Sequence, residues 1–330
     1  MSQKIKVSVI GATGYTGLEL IRLIQGHPHI ELTFVTSESA TDKKLSEVWT
    51  HLQGICDIAL SHESLQNIAK KSDCIFLTLP HTESQKIVPK LLGLTKIIDL
   101  SADFRLNKDH ELNDGISKFL YGVPEFYKNE IARSSNIANP GCFAIASELA
   151  LWPIKDSIDF AYVLGITGSS GSGKSFQEST HHPVRNHNVK SYKIGMHQHE
   201  AEILQTLDLS FDQFVLVPTS GPFVRGIHVT VFVHLKKSFK SSQKENIVSF
   251  FINAYEKQPF VRIKPEVQIA DVVGSNFCDI SITLAHGTII IQAVIDNLIK
   301  GASGNAIQNF NLMFGLDETC GLKIFSPVFP

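Results

Sequence analysis

The stretch Lys4-Ile-Lys-Val-Ser-Val-Ile10, then Gly11-Ala-Thr-Gly14-Tyr-Thr-Gly17, then Leu18-Glu-Leu-Ile-Arg-Leu-Ile24 decides the fold. A β-rich run ends on a glycine turn, and residues 15–24 then carry Leu18, Ile21, Leu23 and Ile24 at helical spacing. Strand, glycine turn and helix in this order make the first unit of a dinucleotide-binding sheet. The glycines let the turn close, let backbone N–H groups approach a diphosphate and let helix pack on strand, while the helix N-terminus adds partial positive charge. The spacing is GxxGxxG rather than GxGxxG, so its weight comes from its place in the first βα unit. Gly11, Thr13, Gly14, Tyr15, Thr16 and Gly17 are the candidate cofactor contacts. The alternative is a glycine turn in a domain that binds no nucleotide.

Outward from this unit the alternation continues. Residues 30–36, 73–79 and 96–100 have strand composition, 65–71 end a helix and 83–92 form another. Repeated βα alternation predicts a parallel, doubly wound sheet. Asn139-Pro140-Gly141 then breaks the chain, and 142–152 predicts a helix closed by Pro153. Beyond it the runs 161–167, 214–218, 226–235, 278–284 and 288–295 are strands with few helices between. The expected fold class is therefore α/β: an N-terminal Rossmann-type, doubly wound sheet over 1–141 and an α+β second domain over 142–300 with a largely antiparallel sheet, while the last helix, about 301–314, could return to either domain.

Composition narrows the function. The 330 residues are 43% hydrophobic and 19% charged, with a net charge of −2, which suits a packed globular chain and builds neither a basic nucleic-acid face nor an acidic tail. Five cysteines at 56, 74, 142, 278 and 320 have no repeating spacing, so a reducing compartment is expected rather than a disulfide framework. The opening MSQKIKVSVIG lacks a signal-peptide layout. The apolar stretch 287–298 is interrupted by Gln292, Asp296 and Asn297 and falls short of the about 20 residues a bilayer span needs. A cytoplasmic protein with no membrane, nucleic-acid or metal partner is expected.

Four further stretches carry chemistry. Gly168-Ser-Ser-Gly-Ser-Gly173-Lys174-Ser175 satisfies the P-loop string GxxxxGK[ST], which opens the alternative of an NTPase using Lys174. The context opposes it, because Phe176 to Thr180 runs into His181-His182-Pro183 within two turns. The preferred reading is a Gly/Ser loop that binds a substrate phosphate through backbone N–H groups. Cys142, in Asn139-Pro-Gly-Cys142-Phe143, stands at the start of an apolar helix, where the dipole favours thiolate. It is the candidate nucleophile, and the other four cysteines are read as small buried apolar residues. His197-Gln-His199-Glu200 opens another helix and supplies two candidate acid–base groups, His199 and His197. After the second strand, Thr36-Ser37-Glu38-Ser39 and Lys43-Lys44 give a mixed signal: hydroxyls and lysines suit a 2′-phosphate, whereas Glu38 opposes one.

These segments, with Ala102-Asp-Phe-Arg105, Tyr121-Gly-Val-Pro-Glu125, Val224-Arg-Gly226, Glu202-Ile203 and Gln308-Asn-Phe-Asn-Leu-Met-Phe-Gly-Leu-Asp-Glu318, resemble the N-acetyl-γ-glutamyl-phosphate reductase family in order across nearly the whole chain. The resemblance implies an NADPH-dependent, phosphorylating semialdehyde dehydrogenase of arginine biosynthesis, cytosolic and a homodimer or homotetramer, related to aspartate-semialdehyde and glyceraldehyde-3-phosphate dehydrogenases. It implies that Cys142 attacks a small-molecule acyl phosphate to give a thioacyl enzyme, with His199 or His197 managing the proton. By the same resemblance the last helix at about 301–330 completes the first domain, 142–300 is the catalytic and oligomerisation domain, Gly171 and Asn309 join the NADP(H) contacts, and Arg105, Asn139, Ser169, Ser170 and Arg225 bind substrate; the hydroxyls and lysine after the second strand add Ser37, Ser39 and Lys43 to the NADP(H) contacts. For the two arginines, a structural ion pair is the alternative. The sequence departs from the pattern at Glu38, at Ile145 and over Thr180-His-His-Pro-Val-Arg185. The last is more like relatives that reduce a carrier-protein-linked aminoadipyl or glutamyl phosphate in lysine or ornithine synthesis. For a carrier, Lys174, Arg185, Lys190 and Lys193 would form a basic rim.

Overall fold

The computed structural model describes residues 4–37, 42–106, 119–239 and 246–323. It divides into two compact units, one over 1–140 and 302–323 and the other over 141–301. Among the described residues no helix is long and apolar enough to cross a membrane.

The first unit holds a six-stranded sheet: β1 (Ile5–Ile10), β2 (Ile30–Thr36), β3 (Cys74–Leu77), β4 (Lys96–Asp99), β5 (Leu120–Tyr121) and β6 (Asn136–Ala138). The order is β2-β1-β3-β4-β6-β5, and every pairing is parallel. β3 is buried along its whole length and β1 over its last four residues, as a sheet covered on both faces requires. β1 leads to β2 on one side while β3 lies on the other, so the order reverses at β1. The Gly11–Gly17 turn leaves the carboxyl end of that strand, where doubly wound sheets place their ligands. Ile10, Ile75, Leu77, Ile97 and Ala138 pack with Ile68, Leu91, Phe104 and Phe119 into one core.

The helix expected at 83–92 is shorter. The chain makes one α-turn, Ser84–Ile87, and a 3₁₀ turn, Val88–Lys90, because Pro89 cannot donate the next helical hydrogen bond. A helix the sequence reading did not single out, Pro124–Arg133, begins with proline at its first position, where the missing N–H costs nothing. The last helix, Gly304–Met313, is entered through a π-turn, Ile299–Ser303, and packs within this unit against the Pro124–Arg133 and Tyr15–Gln25 helices.

The second unit holds a seven-stranded mixed sheet of β7 (Ile158–Thr167), β8 (Lys190–Ser191), β9 (Phe214–Ser220), β10 (Ile227–Leu235), β11 (Val261–Ile263), β12 (Cys278–Ala285) and β13 (Thr288–Ile295) in the order β11-β12-β13-β10-β7-β9-β8. Four of its pairings are antiparallel, and β11–β12 and β7–β9 are parallel. One face is covered by the Cys142–Leu151 helix, buried from Phe143 to Leu151 and lying on β10 and β13. Tyr255 Oη, on the Ile247–Tyr255 helix, donates to Leu149 O at 2.5 Å. The sequence of that helix, IVSFFINAY, has strand composition. It is helical because Ile247, Phe251 and Tyr255, four residues apart, are the side chains it buries.

Candidate active site

Cys142 is the first residue of the Cys142–Leu151 helix, after the extended N-cap Gly141 (φ −74°, ψ 150°). The N–H groups of that first turn and the helix dipole favour a thiolate there. All five cysteines are thiols, and Cys142 is half-buried while Cys56, Cys74 and Cys278 are buried. Burial pushes the Cys74, Cys56 and Cys320 thiols up, away from thiolate. Gly301, in the π-turn, backs onto the Cys142 side chain: a Cβ there would stand 2.7 Å from Cys142 Cβ.

The two histidines have different surroundings. His197 is the N-cap of the Gln198–Leu207 helix, and its Nδ1 accepts from the His199 N–H at 3.2 Å. Burial, with the charge of Lys193, lowers its pKa to about 4, so at neutral pH it is an uncharged cap. His199 is buried and lies against the backbone before Cys142, where a Cβ on Gly141 would be 2.3 Å from His199 Nε2. Buried Glu202 joins the two: its Oε2 accepts from the Gly141 N–H at 2.8 Å, and its Oε1 is 4.0 Å from His199 Nε2. The His197 ring contacts those of His199 (4.6 Å), Phe143 (5.7 Å) and Tyr192 (5.8 Å). Burial first, and the neighbouring Cys142 charge second, push the Tyr192 phenol up to about 12, so it remains a hydrogen-bond donor.

The backbone N–H groups of the second glycine loop, read as candidates for a substrate phosphate, are turned to carbonyls of the chain itself. The Gly168, Ser169 and Ser170 N–H groups donate to Gly226 O (3.0 Å), Phe223 O (2.9 Å) and Val224 O (3.0 Å), and the Gly171 N–H turns back to Gly168 O (3.3 Å). Ser170 Oγ donates to Val224 O at 2.7 Å and accepts from Asn297 Nδ2 at 2.9 Å. These donors are spent on the chain itself. After Lys174 come only the short turns Glu178–Thr180 and His182–Arg185, so the P-loop helix is missing too. Arg225 pairs at 2.9 Å with the fully buried Asp296, which also accepts from the N–H groups of Gly274, Leu298 and Ile299.

In the first unit, two of the turn's three glycines, Gly11 and Gly17, leave no room for a side chain. Gly11 has φ +93° and a Cβ there would be 2.6 Å from Thr78 O; one on Gly17 would be 2.7 Å from Gly11 O. Gly14 N-caps the Tyr15–Gln25 helix without a side chain, leaving its first N–H groups to a ligand. Thr13 Oγ1 and Ser37 Oγ meet at 2.7 Å, and Lys43 is exposed. Glu38 and Ser39 lie outside the described residues. Asn309 and Asn305 each donate through Nδ2 to Gly122 O and Asn139 Oδ1, while Asn139 Nδ2 donates to Ala302 O. Asn309 Oδ1 is buried with no acceptor role filled among the described residues. Arg105 is buried beside Asp99, with Nη2 donating to Leu100 O at 2.9 Å.

Two family models match, one described as "Semialdehyde dehydrogenase, NAD binding domain" over residues 6–134 and one as "Semialdehyde dehydrogenase, dimerisation domain" over residues 142–297. The chain belongs to the semialdehyde dehydrogenase family. Curated relatives include the N-acetyl-gamma-glutamyl-phosphate reductase of Methanosarcina barkeri, 39% identical over 96% of this chain and 98% of that protein. A relative from Pyrococcus abyssi, 38% identical over 99% of both chains, is named for reducing LysW-linked L-2-aminoadipate or L-glutamate phosphate. Solved structures of aspartate semialdehyde dehydrogenases share the fold at low identity. One from Vibrio cholerae has a TM-score of 0.72 at 18% identity, covering 95% of this chain and 99% of its own. One from Candida albicans, crystallised with NADP, has 0.74 at 14%, covering 94% and 98%.

For this semialdehyde dehydrogenase, sequence reasoning missed Tyr192 as a neighbour of Cys142 and the His197 ring, and nothing in its local sequence marks it. It also gave Glu202 no role. The signal for Glu202 was available: three residues after His199 on a helix, it shares that residue's face.

Proposed function

We propose that this oxidoreductase reduces N-acetyl-L-glutamyl 5-phosphate to N-acetyl-L-glutamate 5-semialdehyde and inorganic phosphate with NADPH, the third step of arginine synthesis. The carrying observation is the Cys142 helix start with His199 and Glu202 packed against Gly141. The names of relatives 38–40% identical supply the acyl group.

In this reading the Cys142 thiolate attacks the acyl carbon, the carbon–oxygen bond to the phosphate breaks, and phosphate leaves with the electron pair, giving a thioester on Cys142. His199 takes the thiol proton, holds it while the thioester is reduced, and returns it to Cys142 Sγ as the oxyanion at the acyl carbon collapses, the carbon–sulfur bond breaks and the semialdehyde leaves. His197 is left as the helix cap, because its Nδ1 is already an acceptor. Tyr192 and the first-turn N–H groups of the Cys142 helix are donors for the oxyanion. The nicotinamide cofactor, when bound, supplies the hydride. The glycine turn fits such a group, since a Cβ on Gly11 or Gly17 would collide with backbone and the Gly14 cap carries no side chain. Gly11, Thr13, Gly14, Tyr15, Thr16 and Gly17 would hold its diphosphate, Ser37 and Lys43 its 2′-phosphate, and the unfilled Asn309 Oδ1 a carboxamide N–H.

The test is a reverse assay with N-acetylglutamate semialdehyde, inorganic phosphate and either NADP⁺ or NAD⁺, read as absorbance of the reduced cofactor. Phosphate-dependent reduction, faster with NADP⁺, is the expected result, and no reduction rejects the substrate. His199→Asn should lose on the order of 100-fold or more in kcat. His197→Asn, which replaces one cap with another good one, should lose under about tenfold. Equal losses would reject the division of roles.

A second reading, a carrier-linked substrate, is favoured by the naming of the Pyrococcus relatives and by the exposed segment containing Phe176 (78% exposed) and Met196 (79%). Failure on the acetylated substrate with a thiol that still reacts would support it. A homodimer also fits: Tyr162, Leu164 and Phe232 leave an apolar surface on the uncovered face of β7 and β10, within the part of the chain matched by the dimerisation-domain model. Sedimentation should show a dimer or tetramer that Tyr162→Glu weakens.

A further inference from the structure

An acyl-phosphate substrate brings anionic oxygens to the nucleophile, and the arginines singled out from the sequence are already engaged. Arg225 is neutralised by Asp296, and Arg105 is buried beside Asp99. Arg185 differs from both. It ends the His182–Arg185 turn, is half-buried, and donates from Nε to Gly221 O (3.1 Å) and from Nη2 to Thr167 O (3.2 Å). These carbonyls close the neighbouring parallel strands β7 and β9, which end at the pair Thr167–Ser220. Two backbone acceptors at the ends of paired strands fix the guanidinium plane without neutralising it. Among the described residues no carboxylate pairs with Arg185, and Nη1 has no acceptor. Arg185 also interacts electrostatically with Tyr192, which in turn feels the charge of Cys142. A partly desolvated, oriented and uncompensated cation two neighbours from a nucleophile is a site for an oxyanion, because Arg offers its planar fork to carboxylate or phosphate.

We propose that Arg185 binds the oxyanion of the substrate beside Cys142, so that the second unit selects anionic acyl donors through this residue rather than through the Ser169–Gly171 loop. The proposal deepens the reading above and rests on it for the identity of the substrate. Its chemistry, a carboxylate or a phosphoryl group, does not depend on the acetyl group.

The deciding experiment compares alkylation of Cys142 by anionic iodoacetate and neutral iodoacetamide in the full-length protein, read by peptide mass spectrometry, with Cys142→Ser as blank. A nearby fixed cation raises the iodoacetate rate specifically. Arg185→Gln should lower the iodoacetate-to-iodoacetamide ratio about tenfold or more, with the iodoacetamide rate held within about twofold, and Arg185→Lys should restore part of it. An unchanged ratio, or equal loss with both reagents, overturns the proposal. In the reverse assay, Arg185→Gln should raise one KM. A rise for inorganic phosphate assigns the phosphoryl oxygens, and a rise for the semialdehyde assigns its carboxylate. A fall in kcat with both KM values intact overturns it. Should wild-type protein fail to turn over the acetylated substrate, the alkylation ratio still decides the role of Arg185, so the two failures are distinguishable.

Discussion

Gly11–Gly17 and Gly168–Gly173 both follow a strand, both are rich in glycine, and the second matches a phosphate-binding string more literally than the first. Their backbone donors go to different places. In the first turn, glycine removes side chains so that chain can pass against chain at Thr78 and Gly11, and the following helix starts on a cap with no side-chain acceptor. In the second, glycine lets residues 168–170 lie along 223–226, where a Cβ on Gly168 would be 2.4 Å from Val224 O, and the loop's N–H groups are consumed there. A glycine motif binds phosphate only if its donors are left over after folding, and the string does not report that.

Four substitutions probe this contrast, from the largest expected effect to the smallest. Gly11→Ala combines a positive φ with a backbone collision and should cost on the order of 3 kcal/mol, seen as roughly a hundredfold weaker NADPH binding in fluorescence titration. Binding unchanged by this substitution would break the contrast. Gly168→Ala should leave NADPH affinity within about twofold yet destabilise the second unit by about 1–3 kcal/mol in thermal melts. Ser170→Ala removes the hydroxyl between Val224 O and Asn297 Nδ2 and should cost about 1 kcal/mol in the same melts, whereas a change in the KM for phosphate without loss of stability would restore the cradle reading. Lys174→Ala, on an exposed side chain, should leave kcat/KM within about twofold, and abolished turnover would revive the P-loop.

The same contrast explains what the sequence could show. β1, its glycine turn and the Tyr15–Gln25 helix were legible because periodicity and glycine placement are local, and β2 (Ile30–Thr36) and β13 (Thr288–Ile295) fall on the residues expected of them. The second loop was not legible, because its acceptors, Phe223, Val224 and Gly226, lie some fifty residues further along the chain. The Ile247–Tyr255 helix is likewise decided by what it buries rather than by its β-branched and aromatic composition. Nor could spacing separate His197 from His199. That required seeing the helix begin at Gln198, with His197 as its cap.

The contact between Gly141 and the His199 ring ties two distant positions into one unit of change. With Nε2 2.3 Å from the place of a Cβ, any side chain at 141 would evict the imidazole, and a larger ring at 199 would push back on the turn that carries the thiol. Neither position can drift alone. In a library that randomises this protein, survivors should keep glycine at 141 whenever they keep histidine at 199, and loss of one should release the other. Pairwise enrichment would then read the architecture of the site without any substrate in hand.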